Sequence, residues 1–290
     1  MDPLELVKLK ELKALSSGRP EIIIGLIDGP VATHHPDLAN ENIRATSAFH
    51  SACTQANSFA CFHGTFVAGI LFAKRYTAAP AICPNCTLLV RPIFAESASV
   101  NREIPSTTPQ ELATTLIECI DAGARLINLS ASLAQPSPNG ERTLEDALGY
   151  AAMRGVIVVA AAGNQGTLGS SAITRHPWVI PVAACDLSGR PINDTNLGNS
   201  IGKQGLSAPG EGITSLSTDG KTLTQGGTSV ATPFVTGAIA LLWSLFPTAT
   251  AGEIRMAITH GNSPRRNSVV PPLMDAWAAY QAVARNHARQ

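Results

Sequence analysis

Residues 226–246 read GGTSVATPFVTGAIALLWSLF, and no other stretch constrains the fold as strongly. After a Gly-Gly-Thr-Ser start the segment becomes an apolar helix whose early polar side chains, Thr232 and Thr236, are small. A helix that is apolar on every side belongs in a protein core or in a membrane. Its most apolar part, residues 234–246, is shorter than a membrane span and contains Ser244, which predicts a core helix. Composition agrees: 44% of residues are hydrophobic and 14% charged, enough for a large buried core. Ser229 stands at the start of this helix, where the dipole is positive and backbone N–H groups are free. Two roles fit that place: a helix N-cap, or a nucleophile whose attack creates an oxyanion.

The rest of the chain alternates between strand and helix patterns. Leu4, Val7 and Leu12 among lysines predict a short amphipathic N-terminal helix. Strands are predicted at 22–27, 87–93, 126–129, 156–162 and 179–184, and helices at 65–74, 109–122 and 144–154. A late hairpin is predicted over 212–223. This alternation predicts an α/β fold, with a mostly parallel central sheet covered by helices on both faces. No internal repeat or low-complexity linker divides the chain, so residues 1–290 are expected to form a single domain. The formal net charge is zero, so neither a nucleic acid nor an anionic membrane surface is an expected partner.

Two further segments carry chemistry. The apolar run at 22–27 ends in Asp28 and the turn pair Gly29-Pro30; carboxyl ends of strands are where α/β proteins gather functional groups. Asp28 can equally open a turn. The stretch HGTFVAGILFA, residues 63–73, is a histidine leading into a buried helix; His63 alone would fit a structural role. Taken together, Asp28, His63 and Ser229 follow the chain order of the subtilisin-like enzymes. The wording is similar too. IDGPV with HPDL, HGTFVAGI and GGTSVATPFVTGAIALL resemble the aspartate, histidine and serine motifs of the subtilases, a family of serine peptidases. GVIVVAAAGNQG resembles the family's oxyanion-hole strand and places its asparagine at Asn164, otherwise readable as a turn residue. LINLSASL resembles the substrate-binding strand.

The resemblance implies a subtilisin-like three-layer fold and a serine endopeptidase acting through an acyl-enzyme. Asp28, His63 and Ser229 would be the triad, and Asn164 the side-chain donor to the oxyanion. Ser130, Ala131 and Ser132 would pair with an extended peptide. Ala161 and Gly163 would form a wall of the primary pocket, with Ser170-Ser171 near its base and no carboxylate to select Lys or Arg. A side chain at Ser132, where the family commonly has glycine, would narrow that pocket. Asp-Gly-Pro-Val with CFHGTFVAGI is closest to the peptidases that process cyanobactin-type ribosomal peptides, a group that includes a leader-cutting protease and a macrocyclase. Macrocyclase-type relatives carry a helical insertion near the histidine. Here 35 positions separate Asp28 from His63, so hydrolysis of a precursor peptide is expected. A macrocyclase, or a weakly active peptide-binding scaffold, is the alternative.

No cofactor or metal is expected. Calcium often steadies subtilases through loops rich in Asp and Asn, but the loop after the histidine helix, FAKRYTAAPAI, is basic and apolar. The start, MDPLELVKLKELK, lacks the apolar core of a signal peptide, and Asp28 comes early; a cytoplasmic enzyme that folds unaided is the expectation. Of six cysteines, Cys119 and Cys185 are expected as buried thiols. Cys53, Cys61, Cys83 and Cys86 leave three options: two short-range disulfides, free thiols, or a zinc site.

Overall fold

A computed structural model describes residues 1–38, 42–45, 52–96, 107–131, 138–260 and 267–288, with the side chains of 138–140 excepted. Seven strands form one sheet in the order β2-β3-β1-β4-β5-β6-β7, and every pairing is parallel. They are β1 (Ile23–Asp28), β2 (Ile43–Ala45), β3 (Thr87–Pro92), β4 (Leu126–Leu129), β5 (Ile157–Ala161), β6 (Val179–Cys185) and β7 (Leu206–Pro209). A separate antiparallel hairpin joins β8 (Ile213–Leu216) to β9 (Thr222–Gln225).

The sheet is buried on both faces, which explains its near-continuous apolar strands. Side chains alternate between two cores. Ile24, Leu26, Leu88, Val90, Ile157 and Val159 point to one. Ile27, Leu89, Ile127, Val158 and Ala160 point to the other. The first core holds α2 (Leu9–Leu15), α3 (Phe59–Phe72) and α8 (Thr228–Leu245); the second holds α4 (Pro109–Asp121) and α5 (Pro138–Met153). Helix α8 lies against β4, β5, β6 and β7, with α3 beside it. It is the one described helix long and apolar enough to cross a membrane, yet 89% of it is buried inside the fold. It is the core helix that its all-round apolar sequence predicts.

Two predicted helices differ in outline. The N-terminal one is broken into α1 (Pro3–Leu6) and α2, with Lys8 at φ 50° between them. In a single straight helix Val7 and Leu9 would point to nearly opposite sides; the break turns both, with Leu12, into the core. Helix α3 begins at Phe59, so His63 sits in its second turn and does not precede it. Phe59, Ala60, Cys61 and Phe62 are all compatible with a helix, and Ala60 and Cys61 are buried by it. Strands β2 and β7 and the helices α6 (Ala172–Arg175), α7 (Asn199–Gln204), α9 (Ala251–His260) and α10 (Ala276–His287) are additional to the predicted set. Each is short or buries only a few side chains, so its apolar period is weak.

The basic loop after α3 has its own anchor. Arg75 donates to the carbonyls of Lys13 (3.3 Å), Ser16 (3.0 Å) and Ile82 (3.1 Å). Lys13 in turn donates from Nζ to the carbonyl of Pro80. Two side-chain cations thus gather loop carbonyls and tie the N-terminal segment to the end of α3. Burial, helped by the nearby Arg75 charge, pushes the Lys13 pKa down to about 8. Arg75→Ala should lower stability by about 2–3 kcal/mol, because it strands part-buried carbonyls. Thermal unfolding reads this as a Tm lower by several degrees. EDTA should leave the wild-type Tm in place, and a large EDTA-induced fall would overturn the view that the loop is held by its own cations.

Candidate active site

The strand order reverses around β1, and Asp28 is the last residue of that strand. This is the point where open α/β sheets place their ligands. Helix α3 comes unusually close there. A Cβ on Gly64 would lie 2.3 Å from the carbonyl oxygen of Gly29, and one on Gly29 would lie 1.9 Å from that of Ala60. Only glycine at both positions lets α3 settle onto the turn after Asp28. That contact sets the distance between Asp28 and His63.

The imidazole bridges two partners. His63 Nδ1 lies 2.7 Å from Asp28 Oδ1, and Nε2 lies 2.9 Å from Ser229 Oγ. Asp28 is fully buried, and its Oδ1 also accepts from the N–H of Gly29 at 2.6 Å. Its Oδ2 is buried without a hydrogen-bond partner among the described residues. The following pair explains this, since Gly29 has no side chain and Pro30 no N–H to offer. The His63 side chain is 21% exposed. Burial pushes its pKa down, but the Asp28 charge and their hydrogen bond together outweigh burial and hold it above the ordinary histidine value. Phe59, one helical turn earlier, stacks on the ring at 6.1 Å between centroids.

Ser229 is the second residue of α8 and is not its cap; Gly227, at φ 124°, holds that position. Its amide lies in the first turn, where N–H groups have no partner within the helix. Beside it, Asn164 Oδ1 accepts from Thr228 N–H (2.9 Å) and from the Thr228 hydroxyl (3.0 Å). Two donors onto one atom identify it as the oxygen, which leaves the Asn164 NH₂ as a donor with no partner among the described residues, on a side chain fixed to the residue before Ser229. The Thr228 hydroxyl also accepts from the N–H of Gly163 at 3.2 Å. Thr228 therefore locks the end of β5 to the start of α8, a role that its place in the Gly-Thr-Ser motif hinted at without defining.

The other predicted site residues divide. Ser130 and Ala131 follow the last paired residue of β4, and Ala161 ends β5 beside them. Gly163, at φ 107°, turns the chain toward Asn164. The Ser130 hydroxyl points into the protein, toward the Ser229 carbonyl, so only its backbone is left for a peptide. Ser132 lies outside the described residues. Ser171 caps α6 through a reciprocal pair with Thr174, a structural task. Among the cysteines, Cys53 and Cys61 are joined by a disulfide, while Cys83, Cys86, Cys119 and Cys185 are buried thiols. Burial pushes the Cys119 and Cys185 thiols up to about 12, so neither is a nucleophile. The bridge ties α3 to Cys53, whose N–H bonds the carbonyl of Val31 just past the Gly29-Pro30 turn. The one described metal-capable cluster is Cys53, Cys61 and Glu96. Its two sulfurs are committed to the bridge, and the Glu96 carboxylate already accepts from the amides of Thr54 and Gln55 at 2.9 Å each.

Residues 19–274 match the subtilase family. The chain belongs to that family. It is 28% identical to Subtilisin DY from Bacillus licheniformis over 87% of each chain. Among solved structures, the protease domain of PatA superposes with a TM-score of 0.83 at 29% identity, covering 93% of this chain and 97% of the other. The prenylagaramide maturation protease PagA gives 0.81 at 27%, covering 94% and 98%. This subtilase is therefore a subtilisin-like serine endopeptidase with the three-layer fold expected from its sequence. In this subtilase, an NMR titration should place the His63 pKa above ~6.5, the ordinary value. Asp28→Asn removes the charge but leaves the burial, so the pKa should then fall below ~6.5; a value that stays put would mean Asp28 does not govern the imidazole.

Proposed function

We propose that Ser229 is the nucleophile, His63 the general base and acid, Asp28 the group that orients and charges the imidazole, and Asn164 the side-chain oxyanion donor. The observation that carries this reading is the continuous contact Asp28–His63–Ser229 at hydrogen-bond distances. As Ser229 Oγ attacks the scissile carbonyl, its proton passes to His63 Nε2, which must be neutral to receive it. Nδ1–H stays on Asp28 Oδ1, which stabilises the imidazolium. The carbonyl oxygen becomes negative between the Ser229 N–H and the Asn164 NH₂. Collapse of this intermediate transfers the His63 proton to the leaving amine and leaves an acyl-enzyme. Water then attacks, again through His63, and releases the acid.

The proposed substrate is a ribosomally made precursor peptide, cut at its leader. The likeness to the PatA protease domain and to a maturation protease supports this, as does the Asp-Gly-Pro-Val wording after β1. The peptide would lie along the backbone of Ser130 and Ala131, as a strand added beyond the end of β4. Ala161 and Gly163 would give a neutral wall to the primary pocket, and Phe59 an apolar flank next to His63. Action in the cytoplasm is part of this proposal: four cysteines are thiols, which fits a reducing compartment, whereas the Cys53–Cys61 disulfide does not.

Ser229→Ala should reduce peptide turnover by roughly 10⁴-fold or more while leaving the fold intact. Asn164→Ala should lower kcat by about 10²–10³-fold with a small change in KM, a magnitude known from subtilisin itself. A tenth of wild-type activity retained by the first variant, or a pure KM effect in the second, would sink the assignments. Mass spectrometry of products separates cleavage from cyclisation, because the cleaved products together gain one water and a cyclised product does not.

The pH dependence follows from His63. Its protonated form cannot act as base, so kcat/KM should climb with pH through a midpoint raised above ~6.5 by Asp28. A profile that is flat from about pH 5 to 8, or that falls over that range, contradicts the role.

A further inference from the structure

Helix α8 contains a proline at position 233, four residues after Ser229. In an α-helix the amide at 233 would bond the carbonyl at 229. Proline has no amide hydrogen, and its ring crowds that carbonyl outward. The carbonyl of Ser229 therefore loses its helical donor in a place where unpaired polar groups are costly.

A donor reaches it from the sheet. Ser130 Oγ donates to the Ser229 carbonyl at 3.3 Å. That hydroxyl is itself oriented, because it accepts from Asn128 Nδ2 at 2.8 Å. The oxygen of the same Asn128 amide accepts from Thr236 Oγ1 at 2.8 Å. Asn128 and Thr236 are fully buried, and Ser130 is 6% exposed. Thr236 is two turns beyond Ser229 on the same helix, so the chain Thr236–Asn128–Ser130–Ser229 spans Pro233 and braces α8 on both sides of it. We infer that Ser130 is a positioning residue: its hydroxyl stands in for the amide hydrogen that Pro233 lacks, and so holds the first turn of α8 where Ser229 meets His63.

This rests on the reading of Ser229 as nucleophile, and it adds a side-chain task to a residue expected only to offer its backbone to the peptide. The proline makes the first turn dependent on the sheet. A helix whose own ladder closed at this point would be set by its own geometry; here β4 sets it. The same strand that would bind the peptide then also fixes the serine that attacks it, which registers the two against each other.

The test is a double-mutant cycle between Ser130→Ala and Pro233→Ala, with Ser130→Thr as the hydroxyl-preserving control. Full-length variants are compared for kcat, KM, Tm and the rate of serine labelling by a phosphonate. Ser130→Ala should lower kcat and the labelling rate roughly tenfold, a displacement effect, with KM nearly constant. In the Pro233→Ala background the restored amide can bond the Ser229 carbonyl, and the same substitution should cost less than about twofold. Ser130→Thr should recover at least half of the lost kcat. An equal Ser130→Ala penalty in both backgrounds, or a loss confined to KM or to Tm, overturns the proposal. Should Pro233→Ala not fold, the Thr control decides, since a Ser130→Thr enzyme as slow as Ser130→Ala would exclude a role for the hydroxyl. Ser229→Ala, run alongside, separates the two claims: residual turnover there means the nucleophile is wrong, whereas an inactive Ser229→Ala with no coupling between 130 and 233 means only this inference fails.

Discussion

The burial of α8 is the constraint on which the rest of this molecule depends. A helix with apolar side chains on every side has no face to give to water, so it can exist only where sheet and helices enclose it. Four parallel strands and α3 provide that enclosure. The consequence is mechanical as well as energetic. The body of α8 cannot move without disturbing the larger of the two main cores, and Ser229 is its second residue, in a first turn held also by Ser130. The serine is held by packing over the whole length of a helix, although its own side chain lies at the edge of the site.

His63 reaches the same point by a different device. Its helix is brought in by the absence of side chains at Gly29 and Gly64, where two backbones touch. Glycine weakens a helix interior by roughly 1 kcal/mol relative to alanine, and here that loss accompanies a close approach no other residue permits. The disulfide between Cys53 and Cys61 closes the loop in front of the same helix. Asp28, by contrast, is weakly solvated by its surroundings, with one carboxylate oxygen that has no partner among the described residues. The imidazole is therefore the principal group able to compensate the buried charge, which is why its pKa is held high despite burial.

The edge of the fold shows another economy of charge. The loop after α3 converges its carbonyls, together with those of the N-terminal segment, on Arg75 and Lys13. A guanidinium presents several donors in a rigid fork, so one side chain can collect carbonyls from three places in the sequence. The cation belongs to the chain, and its hold on the loop does not depend on the concentration of a free ion.

Much of this was legible in the sequence. The long apolar run predicted a core helix, the strand runs predicted a parallel sheet, and the resemblance to subtilase motifs predicted that Asp28, His63 and Ser229 meet. The first two inferences succeed because burial on both faces of a sheet, and on every side of a helix, leaves marks on local composition. Tertiary structure alone decided three things. It started α3 four residues before His63, because burial of Ala60 and Cys61 favours helix where their local pattern is silent. It closed one cysteine pair and left the other open, since spacing along a chain does not fix where sulfurs point. And it placed the Ser130 hydroxyl on the Ser229 carbonyl, 99 residues away, across the gap that Pro233 leaves in its helix. A missing hydrogen bond can be read from a proline; the group that replaces it depends on which strand lies beneath, and only packing in three dimensions determines that.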